Sequence, residues 1–468
     1  MNEEINDNLG DYIAQDLLTS LGDHYWGKYL INRFFIQIKT GKKRSDIPSY
    51  NFETDSFSRE DQLKLQRENF PALFHEYIHY LHEVSTVAGT LNFYYHLINR
   101  AYFSIYAVET VGSEYPSIKP EIEKLMNGDR LVFRSLDGYR PPNLASLKIL
   151  RIISIELKPF NAKLSNYPGQ LTMRIPVVQF EAFDQETSEF YNDEISFGKF
   201  YLYEGIAHHI ENLVHVKMGS IPDMQSKISA EYLLMEKVAR HIVPDISVRD
   251  MLEVATLSLS YMNCGEFFIG FLNDVASYPN RKEVLEGLKK QTQDVLRENS
   301  PRYIVEFEGL KDSVRGRKPL IVAVDHLSKL MIANLKERIK NPVFEIDVVY
   351  SGSFDDVLNY VKMSPMMYEF DEDFDTIKRD YAGIYLDDLG NDMLTFLGYL
   401  DYFYAATSKI ENHSCPLYTA CNHPLRIAKG EQCKTKPRLS YEDERNFGLC
   451  HYGLGVAYHK RIDEGVKV

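Results

Sequence analysis

His75-Glu76-Tyr77-Ile78-His79 is an H-E-x-x-H pentapeptide within an apolar run, and if it works as a unit it must lie on a helix. One helical turn brings positions i and i+4 onto one face, so both imidazoles reach a single metal ion while Glu76 reaches a water beside it. Asn69-Phe70-Pro71 precedes the motif, and Pro71 suits a first helical turn, where a missing N–H costs nothing. Phe74, Tyr77, Ile78 and Leu81 then recur at helical spacing, which predicts an apolar stripe on a core with His75, His79 and His82 on the adjoining face. The expected chemistry is that of a zinc hydrolase. The competing reading is a helix whose histidines are satisfied by hydrogen bonds in the core.

Two histidines do not complete a catalytic zinc site, which takes three protein ligands and leaves a fourth position to water. The favoured third ligand lies in Tyr201-Leu202-Tyr203-Glu204-Gly205-Ile206-Ala207-His208-His209-Ile210-Glu211. His82 and Glu83 follow on the same helix but would strain to reach a metal held by His75 and His79. Asp184, Glu186 and Glu194 sit in a polar stretch that reads as loop, and ligands favour rigid elements.

The string E-G-I-A-H-H-I-E at 204–211 resembles the E-G-x-A-x-x-x-E stretch of the gluzincin metallopeptidases, their aminopeptidase branch especially. The resemblance implies His75, His79 and Glu204 as metal ligands, Glu76 as general base, and Gly205 and Ala207 as small residues permitting close approach of the two helices. It also implies Glu211 as the acceptor for the outer nitrogen of a ligand histidine. Residues 80–203 separate the two halves, where that branch has a short helical linker, so an insertion of domain size is expected between them. The implied reaction is peptide hydrolysis by a metal-activated water, with Glu76 passing its proton to the leaving amine. A donor must steady the oxyanion; Tyr203 and Tyr261 are the candidates, with His208 and His209 read either as such donors or, preferably, as surface histidines.

Composition narrows the class of protein. A net charge of −14 argues against a nucleic-acid surface spread over the chain. The acidic start Met1-Asn2-Glu3-Glu4 lacks signal-peptide features, and no apolar run approaches the ~20 residues needed to span a bilayer, so a soluble, cytoplasmic chain is expected. The fold class expected is α+β, predominantly helical. A zincin-like catalytic region is expected over 1–217, with a β-rich insertion at about 112–198, a helical domain over 218–411 and a Cys-rich module over 412–468.

Within that plan, Gly27 to Thr40 reads as strand before a basic turn at 41–44, and Ser58 with Asp61 as the start of a helix. Arg130 to Leu136, Leu147 to Leu157 and Leu171 to Phe180 read as β-like, with Pro176 confining the last to an edge or a bulge and so suggesting a place where substrate could add as a strand. Helical spacing marks Gln225 to His241, Val248 to Val275, Arg281 to Asn299, Leu320 to Ile339 and Met393 to Ile410. Met363, Met366 and Met367 could line a pocket but read better as core.

Cys415, Cys421, Cys433 and Cys450 fall in the last sixty or so residues, a clustering that points to a structural zinc, an iron–sulfur cluster or unligated thiols, while Cys264 stands alone in an apolar helix. Arg426, Lys429, Lys434, Lys436 and Arg438 share that module; they could touch nucleic acid, but Glu442, Asp443 and Glu444 nearby favour a solvated loop. The sequence therefore leads to a zinc-dependent intracellular endopeptidase with a regulatory or defence role and a protein or peptide substrate. Endopeptidase action is preferred because Glu60, Asp61 and Glu68 do not match the acidic motif that aminopeptidases use for a free N-terminus. The rivals are a metal hydrolase of a non-peptide bond and a non-catalytic interaction protein.

Overall fold

A computed structural model describes residues 27–30, 34–39, 48–49, 58–108, 117–139, 141, 144–162, 164, 169–220, 229–314, 318–361, 364, 367–371, 388–408, 414–418, 433, 435, 437 and 450–460. The basic turn at 41–44, Met363, Met366, Cys421, and the charged residues Arg426 to Glu444 named above lie outside them. The described chain is mostly helical with small sheets, and none of its helices is long and apolar enough to cross a membrane.

Two strands, β1 (Gly27–Leu30) and β2 (Phe35–Lys39), pair antiparallel and lead to α1 (Arg59–Glu68). Ser58 starts α1 by accepting a hydrogen bond from the Asp61 amide at 3.2 Å. Pro71 cannot extend α1, and a new helix, α2 (Phe70–Ser85), begins beside it and carries the H-E-x-x-H residues. The chain continues through α3 (Val87–Tyr106), a two-residue ladder of β3 (Ala107–Val108) and β4 (Ser117–Ile118), and α4 (Pro120–Asp137). A three-stranded antiparallel sheet of β5 (Leu147–Ala162), β6 (Leu171–Asp184) and β7 (Glu189–Ser196) precedes α5 (Lys199–Lys217), which bears Glu204 and Glu211.

The remaining helices are α6 (Ala230–Ile242), α7 (Val248–Ser258), α8 (Cys264–Ser277), α9 (Arg281–Gly309), α10 (Lys318–Lys340), α11 (Phe344–Ser351) and α12 (Phe354–Tyr360). After them β8 (Met367–Asp371) pairs in parallel with β2, and α13 (Asp388–Ser408) packs on α14 (His451–Lys460). One continuous apolar core runs from Tyr29 to Val456, and α2 lies inside it against α5, α10, α3, β1 and β2. Of the helices expected as a domain over 218–411, α10 packs directly on α2.

Several local expectations change. The apolar stripe predicts a half-buried α2, yet every residue of it except Ala72 is buried, because its polar residues find partners on other elements. Arg130 to Leu136, expected as β-like, is the last part of α4, where Met126, Val132, Phe133 and Leu136 keep a buried face at helical spacing. Val248 to Val275 is two helices, and the break frees the Leu259 carbonyl to accept from the Ala88 amide in the first turn of α3 at 3.1 Å.

The strand holding Pro176 is the centre of its sheet, not an edge. Pairing with β7 ends at Val177, however, so the missing N–H falls where that ladder stops, and the Phe197 amide donates the last bond to the Pro176 carbonyl at 2.8 Å. On that side Arg174 is met by side chains of α8: its amide donates to Glu266 at 3.3 Å and its carbonyl accepts from Asn263 at 2.9 Å. The amide and carbonyl of Arg174, which an added strand would need, are thus already engaged.

Candidate metal site

Packing of α5 against α2 brings Glu204 to the two histidines of the pentapeptide. Glu204 Oε2 lies 3.4 Å from His75 Nε2 and 3.5 Å from His79 Nε2, and the three ligand atoms fall within 4.8 Å of one another. Those separations are long for hydrogen bonds. They match the spacing of about 3.4 Å between neighbouring ligands on a tetrahedral zinc with bonds of about 2.1 Å. The donor set of two imidazoles and a carboxylate also fits zinc. No other group of three His, Cys, Asp or Glu with this geometry occurs among the described residues.

Burial opposes the charge on Glu204, but His79 and His75 outweigh it and hold the carboxyl well below the usual range, ready to bind as a carboxylate. Glu211, two turns on along α5, meets the other nitrogen of the first histidine: His75 Nδ1 and Glu211 Oε2 are 2.9 Å apart. With His75 as Nδ1–H donor, Nε2 keeps its lone pair for a metal. Glu76 is buried, and its carboxylate lies against the backbone of β1, where a Cβ on Gly27 would come within 2.6 Å of Glu76 Oε1.

The aromatic candidates divide. Tyr203 stacks on His79 with centroids 6.1 Å apart and planes at 26°, but its hydroxyl is 3.4 Å from Thr86 Oγ1 in a buried pair, so the ring packs on His79 and the hydroxyl is engaged elsewhere. Tyr261 stacks on Phe267 at 3.7 Å and meets Phe271 edge-on, within the packing of α8. His208, preferred above as a surface histidine, is buried 3.2 Å from the Asn212 side chain, with its ring beside Tyr232; His209 Nε2 lies 3.4 Å from Glu236. Tyr232 in turn meets His75 edge-on at 5.9 Å.

The rival ligands lie elsewhere. His82 points away into a pair with Glu345 at 3.0 Å, Glu83 accepts from the Tyr29 hydroxyl, Asp184 caps the β6–β7 turn, and Glu194 pairs with Lys158 on β5. Gly205 permits a close approach, but to Met235 on α6 and not to α2. Cys264 is sealed in the core, where burial pushes its thiol up to about 12. The Cys415 amide donates to the Cys433 carbonyl at 2.8 Å, and Cys450 Sγ accepts from the Gly453 amide at 3.3 Å. The three described thiols of the C-terminal segment do not join in one ligand group, so the case for a second zinc rests on the sequence alone.

Sequence reasoning missed Tyr29, Thr86 and Tyr232. Tyr29 stacks on the face of His79, at 6.5 Å and 22°, from a strand that precedes the pentapeptide by some forty-five positions; no periodicity links the two. Compared with known proteins, the chain matches no family profile, no curated protein and no solved structure.

Proposed function

We propose that the protein is a zinc-dependent hydrolase with a gluzincin-like site, acting on peptide bonds, in which His75, His79 and Glu204 hold the metal and Glu76 is the general base. The observation that carries this reading is the placement of Glu204 Oε2 at 3.4 and 3.5 Å from the two Nε2 atoms, with His75 oriented by Glu211. Three donors, rather than the four of a closed structural site, fit a catalytic role. Zinc bound there would supply Lewis acidity, lowering the pKa of a water and polarising a carbonyl.

The chain's own residues supply the rest. Glu76, held against Gly27, takes a proton from the attacking water and returns it to the leaving amine. Among the described residues β1 is the outer strand of its sheet and packs on α2, which favours an extended peptide as substrate.

The purified chain should carry about one zinc that is lost in His75→Ala and in Glu204→Ala. Glu76→Gln should keep the zinc yet abolish cleavage of a peptide library. Unchanged zinc content in both ligand variants would refute the metal assignment, and unchanged turnover in Glu76→Gln would refute the base.

A further inference from the structure

The two histidines are held by different means. His75 has a carboxylate on its outer nitrogen, as metal-binding histidines commonly do. Among the described residues no hydrogen-bond acceptor meets the outer nitrogen of His79. Two tyrosines pack on its ring instead, Tyr29 from β1 and Tyr203 from α5, both near-parallel at 22° and 26° with centroids 6.5 and 6.1 Å away.

Each tyrosine is anchored at its far end. The Tyr29 hydroxyl donates to Glu83, four residues beyond His79 on the same helix, and burial followed by the charge of Glu83 raises its pKa well above the ordinary value. The Tyr203 hydroxyl pairs with Thr86, the C-cap of that helix, and burial likewise raises its pKa. Tyr29 also packs edge-on against Tyr80 at 6.3 Å, and Tyr203 packs against the ring of His82 at 5.2 Å, so neither ring is free to turn.

We infer that Tyr29 and Tyr203 form an aromatic clamp that fixes the ring plane of His79 for metal binding, doing for this ligand what Glu211 does for His75. Both are positioning residues. Two near-parallel rings packed on the imidazole restrict rotation about its last side-chain bond, while its Nε2 edge faces Glu204. The clamp also ties the site to β1, so the strand that abuts Glu76 through Gly27 sets a ligand and the base together.

The inference rests on zinc binding at His75, His79 and Glu204, and its test reads binding, not turnover. Zinc affinity is measured by chelator competition on the full chain for Tyr29→Leu, Tyr203→Leu, Tyr29→Phe and Tyr203→Phe. Tyr360→Leu is the control, a buried tyrosine that packs on Tyr77 and Phe344 and does not touch His79. Each Leu variant should bind zinc about ten-fold or more weakly, and Co2+ in place of zinc should show altered visible bands. The Phe variants, which keep the flat face, should recover most of the affinity and the native Co2+ spectrum.

The clamp is overturned if the Leu variants bind zinc as the wild type does, if the Phe variants lose as much as the Leu variants, or if Tyr360→Leu loses as much for a similar fall in melting temperature. A wild-type chain that binds no zinc overturns both the clamp and the metal reading; normal wild-type binding with indifferent Leu variants removes the clamp alone.

Discussion

The carboxylate of Glu76 owes its place to a residue with no side chain. A methyl group on Gly27 would sit 2.6 Å from Glu76 Oε1 and 2.7 Å from its Cγ, so Gly27→Ala must push the carboxylate aside, and with it the proposed base. Because a displacement near 1 Å can cost about 100-fold in rate, the variant should lose roughly that factor in kcat while retaining its zinc. Metal analysis beside peptide-cleavage kinetics checks this, and loss of zinc together with activity would mean that the strand, not the base, had moved. A second expectation concerns Glu211: Glu211→Ala should weaken zinc binding by about 10–100-fold, read by chelator competition, because His75 loses its tautomer lock. That His75 and His79 share a helix face was legible in the sequence because i, i+4 spacing is a local fact of helix geometry, whereas the approach of Glu204 to them was expected only from the gluzincin resemblance. Gly27 and Tyr29 were not, since a contact between a strand and a distant helix leaves no mark on spacing.

The last turn of α2 is pinned inside the core by the Arg338–Glu345 ion pair and the hydrogen bonds around it. His82 Nε2 lies 3.0 Å from Glu345 Oε1 of α11, and Arg338 of α10 reaches Glu345 at 2.8 Å, Ser85 at 2.8 and 3.0 Å and the Pro342 carbonyl at 2.8 Å. Burial would raise the Glu345 carboxyl, but Arg338 and His82 hold it down to about 2. Removing one partner leaves a buried charge unpaired, so Arg338→Met should cost about 3–5 kcal/mol in urea unfolding, and Arg338→Met combined with Glu345→Leu should cost less than Arg338→Met alone. Burial pushes His82 down to about 4, against the pull of Glu345, so it is neutral in the folded chain. A depressed histidine lends stability that is fully present above its ordinary value of 6.5 and lost as pH falls toward 4, here about 3 kcal/mol at most. The difference between wild type and His82→Gln, both metal-free, should therefore shrink over that window; a constant difference from pH 7 to 4 would show that His82 does not titrate there. Helical spacing revealed most of these elements. It could not reveal the break at Leu259, whose carbonyl serves α3, nor the central position of β6, because both depend on neighbours far along the chain.

At the scale of the molecule, the site is supported from the far end of the chain. Sheet β1–β2–β8 joins residues 27–39 to 367–371, and α10, which braces α2, also packs on α13. The next contact is backbone on backbone: α14 crosses α13 where Gly455 meets Gly398, and a Cβ at 455 would lie 2.4 Å from the Tyr399 amide nitrogen and 2.6 Å from the Gly398 carbonyl carbon. Both obstacles are backbone, which cannot yield as a flexible side chain can, so Gly455→Ala must force the helices apart and should cost about 1–3 kcal/mol. The same variant tests how the chain is divided. If α14 belongs to the core that runs from Tyr29 to Val456, chemical unfolding of Gly455→Ala should show a single transition, moved to lower denaturant and followed equally by tyrosine fluorescence and by loss of bound zinc. Two separated transitions, with zinc retained through the first, would instead mean that the segment expected over 412–468 folds as a module of its own and that the metal helix does not depend on it.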